Sequence, residues 1–291
     1  MRQAGISSRK IYVVIALCVL QLVGIGAAAG AERAASGDFP TSFDSRERIA
    51  RPDLSTVQRL RFLTSVDFPP FNFIDQTGKL AGFHIDLVRA ICSDLDIEPK
   101  CQIQAVPFAE LRENLEKDAG EAVIAGMAVT AGLRRDFDFS RPYLRLPARF
   151  VVRAAAPPAG ESARALDGRS VGVVRASVHE AMLKAYFPTL RPVPYDQPGD
   201  LLSALKKGTV DAAFGDGLQM AFWIAGPQAE HCCRLFDGPY FSELFLGEGL
   251  TVMTRKDEPA ISAAIDHALL SLTRSGRLAE IYLRYFPVGI Y

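Results

Sequence analysis

The chain has 291 residues, a length typical of about two domains. Hydrophobic residues make up 49% of it and charged residues 23%, a composition that excludes a disordered or fibrous protein. Basic and acidic residues both number 33, so there is no excess of positive charge to neutralise phosphates. We therefore expect no nucleic-acid partner.

Residues 1–31 have the pattern of a secretory signal peptide. Arg2, Arg9 and Lys10 precede an apolar run over 11–25, and small residues follow up to Ala31. We predict cleavage near Ala31 and export to an oxidising compartment. The alternative is an uncleaved membrane anchor, although the run of about 15 residues is shorter than the roughly 20 that a spanning helix needs.

Residues 32–58 are polar and contain two prolines, and we predict a loosely ordered arm there. From Leu60 onward strands alternate with helices. The first half predicts a strand over 60–66, a strand at 73–74, a helix over 87–95, a strand over 101–106, a helix over 108–115 and a strand over 122–125. After a linker-like stretch at 154–168, the second half predicts a strand over 171–174, helices near 181–186 and 201–205, a strand over 210–214 and two final helices over 261–285. This alternation predicts an α/β fold with mostly parallel sheets covered on both faces.

Motifs of the common catalytic and metal sites are missing from the sequence, which contains no glycine-rich phosphate loop, HExxH or GxSxG. The run His231-Cys232-Cys233 is a candidate for metal ligation, but three consecutive residues rarely converge on one tetrahedral ion. We expect no metal site and no cofactor.

Two strand ends carry candidate ligand contacts, because open α/β sheets bind ligands where their strands end. Phe68 and Phe71 flank two prolines after the strand at 60–66, and their alternative role is core packing. Gly126 follows the strand at 122–125 and allows a ligand to approach the backbone closely.

Six blocks of sequence, in order and at matching spacing, resemble one known family. The blocks lie at 67–71, 82–87, 125–130, 138–143, 207–216 and 276–286. Together they look like the bacterial type 3 solute-binding proteins, which are periplasmic receptors for polar amino acids that feed ABC transporters. The resemblance covers about residues 60–287.

The resemblance implies a two-lobed periplasmic-binding-protein (type II) clamp with two crossover hinge strands. Lobe 1 would comprise 59–150 plus 251–291, and lobe 2 would comprise 151–250. The crossovers would lie at Arg149–Arg153 and Gly249–Met253. The implied protein is a periplasmic monomer that closes on a small solute and delivers it to an ABC transporter permease.

Some of the residues that bind the ligand in this family have counterparts of the same type in this chain. An aromatic ring at Phe68 would stack on the ligand, Asp216 would hold its ammonium group, and Ser177 would help to hold its carboxylate. The alternative role of Asp216 is a helix N-cap. The full set of expected binding residues is Phe68, Phe71, Gly126, Ala128, Thr130, Arg134, Ser177 and Asp216.

The carboxylate clamp of the family departs from its pattern in this chain. In the family an arginine binds the α-carboxylate of the ligand, and Leu133 occupies that position in this chain. Arg134 comes one residue later, which rotates its side chain by about 100° on a helical turn. Arg134 is either a shifted clamp or a solvated arginine on the helix face. Ala128 and Val178 also replace hydroxyl residues. We therefore expect a ligand with an amine or amide and little negative charge.

Four cysteines and one histidine raise structural questions. We predict a Cys92–Cys101 disulfide, since a short reversal joins the predicted helix to the next strand and some receptors of this family have a bridge there; two buried free thiols are the alternative. Cys232 and Cys233 would form either a vicinal disulfide or a pair of free thiols. His84 replaces an acidic residue of the family motif, and we interpret it as structural.

Two other functions remain open at this point. The fold resembles that of periplasmic lyases of the cyclohexadienyl dehydratase type, for which Glu243 and Glu248 are the nearby candidate acids. The altered clamp also suits an accessory or sensor protein that binds a partner and no solute.

Overall fold

The structure is a computed structural model that describes residues 43, 44 and 46–286. The predicted signal peptide, its cleavage site and the first part of the arm lie outside the described residues.

The strands and helices alternate along the chain as the hydrophobic pattern predicts. The strands are β1 Leu60–Thr64, β2 Asp67–Phe68, β3 Asn72–Ile74, β4 Leu80–Ala81, β5 Cys101–Ala105, β6 Ala122–Val123, β7 Phe137–Phe139, β8 Ala148–Arg153, β9 Ser170–Val174, β10 Arg191–Tyr195, β11 Ala212–Asp216, β12 Cys233–Tyr240 and β13 Met253–Arg255. The α-helices are α1 Phe83–Asp94, α2 Leu111–Glu116, α3 Ala131–Asp136, α4 Val178–Tyr186, α5 Pro198–Lys207, α6 Gly217–Ala225, α7 Glu243–Leu246, α8 Pro259–Arg274 and α9 Arg277–Tyr285.

Two five-stranded sheets define two lobes, in the order β5-β1-β6-β13-β7 for the first and β10-β9-β11-β8-β12 for the second. In each sheet the first two neighbouring pairs are parallel and the other two are antiparallel. The expectation of mostly parallel sheets is therefore wrong. The reason is that β8 and β13, the first strands after the two connections between the lobes, each run antiparallel to both of their neighbours in the sheet.

The second sheet shows why period-two alternation specifies its two buried faces. Along β8, Phe150 and Val152 pack with Phe214 in one cluster, whereas Val151 packs with Leu205 in a cluster on the opposite face. Each large apolar side chain that is fully buried in this way stabilises the fold by about 1.5–3 kcal/mol.

Two chain segments, 140–147 and 247–252, connect the lobes and pair with each other. The Leu144 and Leu250 backbones form an antiparallel bridge, in which the Tyr143 amide donates to the Leu250 carbonyl at 2.9 Å and the Leu250 amide donates to the Leu144 carbonyl at 2.8 Å. The first crossover was expected at Arg149–Arg153, but those residues form the interior of β8 in the second sheet. The connection precedes them because apolar residues of β8 are already committed to the second core. The lobe boundaries given above stay a prediction.

The described part of the arm differs from the loosely ordered segment that its polar composition predicts. Phe43 and Leu54 are buried, and the Ile49 carbonyl lies 2.8 Å from His267 Nδ1 on α8. The side chains of Arg141 and Arg51 bind Glu47 and the Leu95 carbonyl, respectively. The arm is fastened by buried apolar side chains and by hydrogen bonds of both its backbone and its side chains, which composition does not reveal.

Both cysteine pairs are bonded. Cys92 at the end of α1 and Cys101 at the start of β5 form a disulfide with Cα atoms 6.3 Å apart, as predicted. The neighbouring Cys232 and Cys233 form a vicinal disulfide, which resolves the alternative left open by the sequence.

We expect the double substitution Cys92→Ser and Cys101→Ser to lower the free energy of unfolding by about 2–3 kcal/mol, because this bridge closes a loop in the unfolded chain. Urea denaturation measures the change. The matched control is Cys232→Ser with Cys233→Ser, which opens a bridge between adjacent residues and so releases little chain entropy. Equal losses in the two variants would contradict this explanation.

Candidate functional site

An aromatic stack follows β1 on the first lobe. Phe68 lies on β2, and its ring is stacked on that of Phe71, with centroids 4.6 Å apart and planes 17° from parallel. Phe68 is half-buried, whereas Phe71 is fully buried and contacts Phe83 and Phe286. The expectation that Phe71 touches the ligand is therefore wrong, because its ring forms the core layer that supports Phe68.

Gly126 positions the Phe68 ring from the other side. Gly126 has φ +74°, and a Cβ atom there would lie 2.6 Å from Cε1 of Phe68. Any side chain would therefore displace the ring. The close approach that the sequence predicts at this glycine is made by Phe68 of the protein itself.

A buried chain of polar side chains runs behind this stack. The Asn72 amide donates to the carbonyl and the hydroxyl of Ser65 at 3.0 and 2.9 Å, and its Oδ1 lies 2.8 Å from His84 Nδ1. His84 Nε2 lies 2.7 Å from the Tyr143 hydroxyl. Because the Asn72 oxygen can only accept, Nδ1 of His84 carries the proton and Nε2 accepts from Tyr143. Complete burial of the ring lowers the pKa of His84 to about 3, which keeps it neutral.

Helix α3 accounts for the altered clamp. Thr130 caps this helix by accepting from the Leu133 amide at 3.2 Å, and Leu133 packs against the apolar cluster of the first lobe. Arg134 forms an ion pair with Glu248, and its guanidinium lies over the Phe139 ring, 5.6 Å from the centroid. The contacts of Arg134 are those of an exposed, paired arginine on the helix face.

One cavity is lined by both lobes and has a volume of about 180 Å³. Gly126 and Ala128 reach it from the first lobe, and residues 241–243, 246, 247, 249 and 250 reach it from the chain that returns from the second lobe. Arg145 of the first connecting segment also lines it. Arg145 lies outside the carboxylate-clamp motif, so no sequence pattern pointed to it.

Ser177 and Asp216 line a different cavity, of about 250 Å³, on the second lobe. Each is also a helix N-cap: Ser177 accepts from the Glu180 amide at 3.1 Å, and Asp216 accepts from the Gln219 amide at 2.8 Å. The N-cap role considered for Asp216 is thus present, and its contact with a ligand stays a prediction. The structure brings these two predicted residues together and leaves Phe68, Gly126 and Ala128 on the opposite lobe.

His179 is a residue of this second cavity that the sequence analysis missed. Burial lowers its pKa, and the nearby charge of Asp216 acts in the opposite direction. Its position two residues after Ser177, on the first turn of α4, is the signal that places it beside the pocket.

Within the described residues, no group of three or more His, Cys, Asp or Glu side chains is arranged to hold a metal ion. Over the same part of the chain, no helix combines the length and the hydropathy that a membrane crossing requires.

Comparison with known proteins places these features in context. Residues 60–288 match the sequence profile described as bacterial extracellular solute-binding proteins, family 3. The chain is 27% identical over 235 residues to ABC transporter arginine-binding protein 1 of Escherichia coli (strain K12), covering 80% of this chain and 93% of that protein. It is 25% identical over 256 residues to the L-arginine-binding protein of Pseudomonas aeruginosa, covering 84% and 93%.

A solved structure shows the same two-lobed fold. The unliganded, open L-cystine solute receptor of Neisseria gonorrhoeae has a TM-score of 0.69 and 19% identity to this chain, covering 80% of this chain and 94% of that one.

Because His84 is neutral in the folded protein, we expect the free energy of unfolding to depend on pH. In the unfolded chain His84 binds a proton below about pH 6.5, whereas in the folded chain it stays neutral down to about pH 3. The free energy of unfolding must therefore decrease as the pH falls through this window, by about 2 kcal/mol between pH 6.5 and pH 5.

Replacing His84 with Gln is expected to remove this part of the pH slope, whatever it does to stability at neutral pH. Urea denaturation at a series of pH values measures the slope, and His231→Gln at an exposed position is the matched control. An unchanged slope in the His84 variant would show that this residue is not the group that titrates.

Proposed function

The chain belongs to the bacterial extracellular solute-binding proteins of family 3, and from that premise we propose that it binds an amino acid or a related small, amine-bearing solute between its lobes. The bound solute would be passed to the permease of an ABC importer. The names of its arginine-binding relatives support a ligand that carries at least one cationic group.

The observation that carries this proposal is the Asp216 carboxylate at the end of β11. It lines a pocket together with Ser177, His179 and Gln219, and the walls of this pocket also include Leu201 and other apolar side chains. A carboxylate in such surroundings favours a cationic partner, because its charge is only partly solvated there. An ammonium or guanidinium group of the solute supplies that partner.

Phe68 supplies the second contact on the first lobe. Its ring is held between Phe71 and Gly126, so it loses little conformational freedom when a ligand lies on it. A flat or apolar part of the solute would stack on the exposed part of this ring. Together, Phe68 and Asp216 would hold opposite ends of one small molecule when the lobes close.

We further propose that residues 1–31 direct export and that the protein acts in the periplasm as a monomer without a cofactor. The relatives are named as binding proteins, and this favours a receptor over a lyase. Both candidate acids of a lyase lie beside arginines, Glu243 next to Arg145 and Glu248 next to Arg134. A solute recovered chemically unchanged after incubation, as followed by NMR, is the expected result; its consumption would point to a lyase.

Replacing Asp216 with Asn is expected to weaken binding of cationic amino acids by about 10- to 100-fold, because it removes a charge-assisted hydrogen bond. Asn is as good an N-cap as Asp, so α6 and the melting temperature should be little affected. Calorimetric titration with L-arginine, L-lysine and L-histidine measures the affinity.

The matched control is Asp211→Asn, which removes a carboxylate of the same lobe that binds Ser170 away from the pocket. It should leave affinity unchanged. Undiminished affinity in the Asp216 variant would contradict the role of this carboxylate. If no compound of a wider panel of amino acids and amines raised the melting temperature of the wild-type protein, the proposed function would be contradicted.

A further inference from the structure

We propose that Arg145 is the carboxylate-binding residue of the cleft, in place of the clamp arginine that this chain lacks at position 133. This proposal rests on the proposed function and deepens it, because it specifies that the solute is a zwitterion or carries an acidic group. It revises the expectation of a ligand with little negative charge.

Arg145 lies where residues from both lobes meet. It lines the cavity that Gly126, Met127 and Ala128 reach from the first lobe and that residues 241–243, 246, 247, 249 and 250 reach from the other side. Among the described residues that line this cavity, Arg145 is the only cation and Glu243 the only anion. An anionic group of a bound solute therefore has one charged side chain to recognise it there.

The backbone that carries Arg145 is fixed by pairing of the two connecting segments. Its neighbour Leu144 forms an antiparallel bridge with Leu250. Gly249 has φ +115°, and a Cβ atom there would lie 2.6 Å from the Leu144 carbonyl oxygen and 3.2 Å from Arg145 Cγ. The glycine thus allows the aliphatic part of the Arg145 side chain to pack against the opposite segment. This packing orients the guanidinium without a supporting helix.

Glu243 is an internal competitor for the same guanidinium. Its Oε1 lies 3.7 Å from Arg145 Nη2, which is longer than a hydrogen bond, and the two side chains are 72% and 40% exposed. Ion pairs this exposed contribute little, so a ligand carboxylate that forms two parallel hydrogen bonds to the guanidinium can displace Glu243. Glu243 neutralises the charge of Arg145 until the carboxylate of a zwitterionic solute takes its place.

Helix α3 offers no equivalent cation to this cavity. Leu133 packs against the apolar cluster of the first lobe, and Arg134, which lies over the Phe139 ring, is not among the described residues that line this cavity. The positive charge of the family clamp has therefore moved from a helix on one lobe to the connection between the lobes.

The test compares amino acids with their carboxamides, which keep the amine and the size but lack the negative charge. L-Arginine, L-histidine and L-glutamine and the amide of each are titrated by calorimetry into the purified protein. The wild type is expected to bind the acid about 10- to 100-fold more tightly than the amide. Arg145→Met should abolish that preference by weakening the binding of the acid alone. Glu243→Gln should tighten the binding of the acid.

Arg134→Met is the matched control, because it removes an arginine paired beside the cavity; it should keep the preference for the acid. A wild-type protein that binds acid and amide equally, or an Arg145→Met protein of unchanged melting temperature that keeps the preference, would overturn the proposal while leaving the proposed function intact. Binding of none of the six compounds would count against both.

Discussion

The pairing of the two interlobe segments is the constraint on which the site depends. Leu144 and Leu250 form the bridge, and Ser140 and Val252 bond each other through backbone and hydroxyl groups. A backbone held in this way can bend as a unit while keeping its register, as a hinge between two rigid bodies must. The strands β8 and β13, which follow directly after the paired segments, run antiparallel to their neighbours. Arg145 of the first segment lines the cavity.

The hinge is also tied to the aromatic platform through buried hydrogen bonds. Tyr143 belongs to the first connecting segment, and its hydroxyl bonds His84, which bonds Asn72 and, through it, Ser65 at the start of the Phe68 loop. Every link in this relay is satisfied while His84 is neutral, and complete satisfaction is what makes a buried polar chain rigid. The loop that carries Phe68 is thereby fixed relative to the hinge.

On the second lobe, the side chains that we propose for ligand recognition also cap helices. Ser177 and Asp216 each satisfy a backbone amide in the first turn of a helix while lining the pocket. A helix N-terminus orients such side chains without further support, and short polar residues are favoured there for that reason. The capping bonds therefore fix the positions of the two side chains that we propose to contact the solute.

Period-two and helical patterning, turn residues and cysteine spacing sufficed to determine the α/β class, most elements and the Cys92–Cys101 bridge, because these depend on local geometry and burial. The candidate residues Phe68, Ser177 and Asp216 were also identifiable, since they stand at strand ends next to recognisable blocks. Only the tertiary structure decided that Phe71 belongs to the core, that the arm is fastened to the first lobe and that Arg145 enters the cleft. Those outcomes depend on contacts between residues distant in sequence, which no local pattern encodes.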